Sequence, residues 1–149
     1  GDQRIEVMRK ALLADVFLTG ANAITLDGKI VNTDAVGNRV AALAFGPKKV
    51  IVAAGVNKLV KDVEAAFRRI KDICTPINVR RHMTAYGTTK GPPCGITGFC
   101  SECYSPNRFC RYTVIVEGES RRQHALGPRS VTYQEPRIYV IIVGEELGL

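Results

Sequence analysis

Apolar runs punctuated by glycine, proline and polar residues divide the first third of the chain into alternating helices and strands. Helical spacing of apolar residues over 2–13 predicts a short amphipathic helix, and a short apolar strand follows over 15–20. Two apolar runs joined by Asp-Gly predict a hairpin over 23–32. A glycine before residues 38–45 and a Gly-Pro pair after them predict a helix there, and the unbroken apolar run over 49–54 predicts a buried strand.

The clearest helical pattern follows that strand. Apolar residues recur every three or four positions from Val56 to Ile70, with charged residues on the rest of the wheel. Cys74 continues this apolar stripe, so we assign it a packing role and leave it out of any metal site. No periodicity is found over 75–111. A connection of that length without structure is uncommon in a compact domain, so we predict a functional, cysteine-rich loop.

The last predicted elements are two strands over 112–117 and 137–143, the second of them apolar throughout and expected to be buried. Helices that alternate with buried strands predict an α/β fold with a largely parallel sheet, covered by helices on both faces. We interpret the strand, helix and strand over 23–32, 37–45 and 49–54 as a crossover unit of that sheet. The 149 residues are expected to form one domain.

Four of the five cysteines lie within seventeen residues in a C-x5-C-x2-C-x6-C array, formed by Cys94, Cys100, Cys103 and Cys110. Glycine or proline in the longer gaps lets the chain turn, so that four thiolates can converge on one centre. Two disulfides are the alternative, but they suit a small secreted domain. This chain shows no apolar signal segment and is long enough to bury a core. We therefore predict a metal site in a cytoplasmic protein.

The spacing of the array also bears on which metal it would bind. Zinc ribbons and fingers usually divide their ligands into two close pairs, whereas this array has one C-x2-C flanked by single cysteines. That spacing resembles the way iron–sulfur clusters are held, so we favour a cluster of the four-iron (4Fe–4S) type over zinc. A mixed zinc site would need His82 or His124 from outside the array. A redox thiol pair at Cys100 and Cys103 is a third interpretation.

Charge and hydropathy narrow the function classes further. The net charge is +7, and much of the excess lies between Arg80 and Arg129. A basic stretch of this kind can bind nucleic acid, but aromatic residues for base stacking are scarce and no known reader motif occurs. We therefore do not expect nucleic acid as a partner, and part of the excess can offset the charge of the thiolates. No apolar run is long enough to predict a membrane span.

A second candidate site lies between the predicted hairpin and the helix after it. Ligands favour such strand-to-helix junctions in α/β sheets, because free backbone N–H groups there attract anions. Gly37 would allow close backbone approach, and Arg39 could bind a carboxylate or phosphate group. Asn22, Asp34 and Asn38 could orient hydroxyl groups. In the structural alternative, Asp34 or Asn38 caps the helix and Arg39 pairs with an acid. Both interpretations stay open, since no dinucleotide or phosphate-loop motif is present.

Several stretches of the sequence resemble the lactate-utilisation (LUD) family. They comprise residues 14–25, 27–28, 37–42, 45–55 and 57–62. A cysteine-containing branch of bacterial and archaeal family members also carries the four cysteines, the Pro93, Gly98 and Ser105-Pro106 around them, and a terminal Ile-Val-Gly-Glu-Glu-Leu-Gly. The resemblance runs over nearly the whole chain.

The resemblance implies a Rossmann-like fold similar to that of the sugar-phosphate isomerase and coenzyme A transferase group. It also implies a link to the oxidation of lactate to pyruvate, beside iron–sulfur and flavin-type partner subunits, but it supplies no catalytic residue. Family members usually have a further N-terminal α/β half, which the resemblance implies is missing here. We therefore expect either a fragment of a longer product or a homo-oligomer that associates through an exposed sheet edge or apolar face.

Two functional hypotheses follow from the sequence and the resemblance together. The first is a redox-associated subunit that carries an iron–sulfur cluster on the four cysteines and assists the oxidation of a 2-hydroxy acid. The second is an isomerase-like or transferase-like enzyme, or a small-molecule-binding protein, with a structural zinc site. The second hypothesis places its pocket at Asn22 and Asp34 to Arg39, and a small anionic substrate or ligand is the expected partner.

Overall fold

A computed structural model of the protein describes residues 2–119 and 135–149. Each helix and strand is short, and the order confirms the predicted alternation. The elements are α1 (Asp2–Ala11), β1 (Val16–Thr19), β2 (Ala23–Thr25), β3 (Ile30–Asp34), α2 (Asn38–Ala44), β4 (Lys49–Gly55), a 3-10 turn (Val56–Lys58), β5 (Leu59–Val60), α3 (Val63–Arg69), a π-helical turn (Ile70–Cys74), α4 (Thr75–Ala85), α5 (Pro93–Thr97), β6 (Tyr112–Val116) and β7 (Ile138–Val143).

A parallel sheet of three strands confirms the α/β class. β4 lies between β1 and β7 and runs parallel to both. Val50, Val52 and Ala54 alternate along β4 on the face that packs into the core, where they meet Leu43 of α2. The predicted buried strand over 49–54 is therefore confirmed as the centre of this sheet, consistent with a Rossmann-like fold.

The opposite face of the parallel sheet is apolar and exposed. Leu18 of β1 is 72% exposed, and Tyr139 and Ile141 of β7 are 40% and 51% exposed. Leu18 and Tyr139 flank Ile51 on the same face, because both pair with it across the sheet. Among the described residues this face is therefore only partly covered, while the expected α/β class with a mostly parallel sheet is confirmed. The segment over 137–143 is likewise an exposed edge strand and not a buried one.

A second, mixed sheet corrects the expected crossover unit. Its order is β5-β2-β3-β6, and β2 and β3 form the predicted antiparallel hairpin, with Gly28 at a φ of 93° in the turn. β3 pairs with β2 on one edge and with β6 on the other, so neither edge is left for β4. The strand, helix and strand over 23–32, 37–45 and 49–54 therefore span two sheets. β4 instead pairs in parallel with β1 in the other sheet.

The helix predicted to run from Val56 to Ile70 begins later than its apolar spacing indicates. The Asp62 carboxylate accepts a hydrogen bond from the Ala65 backbone N–H at 2.8 Å and caps α3, which starts at Val63. The preceding Leu59 and Val60 form β5 and pair in parallel with β2. Cross-strand pairing therefore overrides the helical spacing of the first apolar positions.

The prediction of an unstructured loop over 75–111 is wrong in part. α3 continues through the π-helical turn into α4, and Pro76, which lacks a backbone N–H, lies two residues after that turn, where the regular α-helical hydrogen bonding is already interrupted. α5 carries Cys94 and packs on α4. Residues 86–92 and 98–111 are the irregular parts. The polar segment between β6 and β7, including Arg121, Arg122, His124 and Arg129, falls almost entirely outside the described residues.

Candidate metal centre and ligand cavity

The four cysteines of the array line one cavity of about 240 Å³. Cys94 lies on α5 and is buried, Cys100 and Cys103 are half-buried, and Cys110 is exposed. Burial raises the pKa of the Cys94 thiol, and the negative charges of Cys103, Cys100 and Cys110 raise it further. The four side chains therefore line one space, and their convergence on a single metal centre stays a prediction.

Local backbone geometry explains how these cysteines come together. Gly98 adopts a φ of 86° and ends α5, so the chain turns back within four residues of Cys94. Glu102 has a φ of 52°, which is rare for a residue with a side chain, and its backbone N–H donates to Cys100 Sγ at 3.4 Å. The Glu102 carboxylate is paired with Lys71 Nζ at 2.5 Å, which ties the turn to the helical segment before α4.

In the part of the chain that the structure describes, the cysteine side chains are not arranged to coordinate a single metal ion. In residues 2–119 and 135–149, no three or more His, Cys, Asp or Glu side chains form a group that could hold one. All five cysteines are free thiols, so the structure contains neither of the disulfides considered above. His82 borders a different cavity, and His124 is outside the described residues. A metal site on the four cysteines accordingly stays a prediction.

A larger cavity of about 750 Å³ lies beside the first one, at the ends of β1 and β3. Asn22, Asp34, Asn38 and Arg39 line it, whereas Gly37 is not among the lining residues. The structure thus groups four of the five residues of the second predicted site around one space. Four cationic side chains also line it, namely those of Arg4, Arg39, Lys58 and Arg81.

Arg39 and Asp34 are already engaged with each other. Arg39 Nη2 lies 3.0 Å from Asp34 Oδ1 and donates to Asn22 Oδ1 and to the Thr33 carbonyl, both at 3.1 Å. Asp34 Oδ2 accepts the Val40 backbone N–H at 2.9 Å, in the first turn of α2. The geometry therefore agrees with the structural alternative for Asp34 and Arg39, a helix cap and an ion pair. It leaves ligand binding at these residues as a prediction.

Two buried cations at the larger cavity were missed by the sequence analysis. Arg69 is 8% exposed, and its guanidinium donates to the Asn22 carbonyl at 2.7 Å and to Cys74 Sγ at 2.7 Å. Lys58 is 6% exposed and makes no hydrogen bond or ion pair with the described residues. Burial lowers the pKa of Lys58, and the charge of Arg69 lowers it further.

The prediction of a single helix over 56–70 explains why Lys58 was not identified as a site residue. On that helical wheel Lys58 falls on the polar face, where solvent is expected. The 3-10 turn and β5 rotate it inward instead. The signal that could have identified it is its position directly after the carboxyl end of a parallel strand, where ligands bind in α/β sheets. Cys74 is buried, as its packing role requires, and also borders the larger cavity.

The two cavities share a wall. Thr33, Thr75 and Phe109 line both of them. Phe109 directly precedes Cys110, and its ring packs edge-on against His82 with the ring centres 5.1 Å apart. A ligand in the larger cavity would therefore lie next to the cysteine cavity, with an aromatic ring between them.

Comparisons with known proteins bear on the identity of the chain. Its residues 1–133 match the family model described as the LUD domain. No curated protein and no solved structure matches the chain. Among the described residues, no helix has the length and apolar character needed to cross a membrane. The LUD domain suggests a role in lactate utilisation. Since the match covers most of the sequence, the chain belongs to the LUD domain family.

Proposed function

We propose that this protein is a redox-associated subunit of 2-hydroxy-acid utilisation that holds an iron–sulfur cluster on Cys94, Cys100, Cys103 and Cys110. The observation that carries the proposal is that these four side chains line one cavity. Cysteine thiolates are the usual ligands of such clusters. The cluster, when bound, would supply the uptake and release of single electrons that a redox-associated subunit needs.

The size of the cysteine cavity favours a four-iron cluster over zinc. A zinc ion lies about 2.3 Å from each sulfur, so four thiolates close tightly around a single ion. The cavity of about 240 Å³ offers considerably more space than one ion takes.

Positive charges around the cysteine cavity would stabilise four thiolates. Lys71 and Arg108 line it, and the Glu102 N–H donates to the sulfur of Cys100. Hydrogen bonds and cations favour the ionised form of a thiol and tune the potential of a cluster bound to it. Burial raises the pKa of the Cys94 thiol, so metal binding at this residue would be coupled to the loss of its proton.

The larger cavity would take the small anionic ligand of this reaction. Its lining carries more positive than negative side chains, which attracts a carboxylate or phosphate group. The wall shared at Phe109 would place the ligand next to the four cysteines that would hold the cluster. Oxidation of a 2-hydroxy acid to the 2-oxo acid releases two electrons and two protons, and iron–sulfur or flavin-type partner subunits would accept them.

Single serine replacements test the ligand assignment. Each of Cys94, Cys100, Cys103 and Cys110 is changed to serine, the proteins are purified without oxygen, and iron, acid-labile sulfide and zinc are measured. We expect each replacement to lower the metal content, because a hydroxyl is a poor substitute for a thiolate. Cys74→Ser is the matched control and should keep the full content. The assignment fails if Cys74→Ser loses as much metal as the other four variants.

A further inference from the structure

Lys58 occupies a favoured ligand position of the fold. It ends the 3-10 turn that directly follows β4, the central parallel strand, and it lines the larger cavity. Ligands in open α/β sheets bind outside the carboxyl ends of the strands, which is where this side chain lies. Only 6% of the surface of Lys58 is exposed to solvent.

Lys58 differs from the other cations of the cavity in having no partner among the described residues. Arg39 pairs with Asp34, and the two remaining arginines are also engaged: Arg4 donates to Tyr86 Oη at 3.1 Å and Arg81 to Asn78 Oδ1 at 2.8 Å. No carboxylate in the described parts of the chain reaches the Lys58 ammonium. The charge of Lys58 is thus available to a bound molecule.

The surroundings of Lys58 make this charge costly without a ligand. Burial of an ammonium without an ion-pair partner is unfavourable, and the positive charges of Arg69 and Arg39 add repulsion that the interaction with Cys74 offsets only in part. Residues 147 and 148 are held beside Lys58 by the residue before it. The Asn57 side chain donates to the Gly148 carbonyl at 3.1 Å and accepts the Leu147 N–H at 3.2 Å. An anion entering from the cavity would relieve both the burial and the repulsion.

We infer that Lys58 is the cation that binds the acidic group of the ligand in this cavity, and that the ligand is a small molecule with a carboxylate or phosphate group. Lys58 would therefore bind the anion in place of Arg39, because Arg39 is already paired with Asp34. It rests on the proposal that the larger cavity binds a small anion. It does not depend on which metal the cysteines hold.

Calorimetric titration of the full chain tests this role. Pyruvate, L-lactate and inorganic phosphate are the probes, and the proteins are wild type, Lys58→Met and Lys61→Met. Both variants lose one positive charge, but Lys61 is exposed and does not line the cavity. We expect Lys58→Met to bind about ten-fold more weakly or worse, as for the loss of one charge-assisted contact, and Lys61→Met to bind like wild type.

The titration also distinguishes carboxylate from phosphate binding by which probe binds wild type more tightly. Lys58→Met should melt no lower than wild type, because it removes an unpaired buried charge, so a loss of binding cannot be ascribed to unfolding. Equal affinity of Lys58→Met and wild type would overturn the inference, as would a wild type that binds none of the probes. Iron and sulfide contents should be unchanged in Lys58→Met, which separates this test from that of the cysteine site.

Discussion

Replacing Gly95 with alanine is expected to force α5 away from α4 and to disturb the cysteine cavity. A Cβ atom at Gly95 would lie 2.4 Å from Val79 Cγ1 and 2.7 Å from Met83 Sδ. The methionine side chain is flexible and can move aside. Val79 is fully buried on α4, and a branched side chain in a helix has one strongly preferred rotamer, so it cannot. The helices themselves must separate.

The size of this effect follows from two opposing contributions. Overpacking a well-filled core costs about 1–3 kcal/mol, and alanine in place of glycine in a helix returns up to about 1 kcal/mol. The 2.4 Å contact is far shorter than a normal van der Waals contact, so the upper part of that cost, about 2–3 kcal/mol, applies, and we expect Gly95→Ala to lower the free energy of unfolding by roughly 1–2 kcal/mol. In a domain of this size that lowers Tm by about 2–8 °C. Gly95 directly follows Cys94, so the metal content should fall as well.

Gly144→Ala is the matched control for this substitution. Nothing lies within 4 Å of a Cβ at Gly144, and its φ is not positive. The free energy of unfolding of Gly144→Ala should stay within about 0.5 kcal/mol of the wild-type value. Thermal or urea unfolding of the three proteins, with metal analysis of each, provides the comparison. If Gly95→Ala proves as stable and as rich in metal as wild type, the packing of α5 on α4 does not position Cys94.

Three further predictions concern other parts of the molecule. Asp62→Ala removes the cap of α3 and should cost about 1 kcal/mol in urea unfolding, and an unchanged midpoint would show that the cap contributes nothing. The pKa of Lys58 is lowered in the folded protein, so between that pKa and 10.5 the unfolded chain binds more protons and wild-type stability rises with pH. The stability advantage of Lys58→Met over wild type should therefore shrink as pH rises through this window, and an advantage independent of pH would contradict the assignment. Leu18→Lys on the exposed face of the parallel sheet should weaken self-association in light scattering, whereas a monomeric wild type at high concentration would refute that association.

Local sequence signals predicted the elements whose structure depends on near neighbours. The Asp27-Gly28 turn fixes the β2–β3 hairpin, and the unbroken apolar run of β4 identifies a central strand. The four cysteines, which are close in sequence, likewise line one cavity. In each case the residues that determine the geometry lie within a few positions of one another.

The errors arise where distant partners decide the structure. Leu59 and Val60 fit a helical pattern, but pairing with β2 makes them a strand. Residues 75–85 show no apolar periodicity, but they continue the helical segment of α3 and pack against α5 as α4. The division into two sheets depends on β6, which is far away in sequence and takes the edge of β3. The helical pattern places Lys58 on the solvent side, because the segments that bury it are distant from it in sequence.

The identity of the metal tests the central claim most directly. The protein is purified without oxygen, its visible absorption is recorded, and iron, acid-labile sulfide and zinc are measured per chain. We expect a brown protein with broad visible absorption and about four iron and four sulfide per chain, and we expect both to be lost in the cysteine variants. A colourless protein with about one zinc per chain would contradict it and would leave the cysteines a structural site.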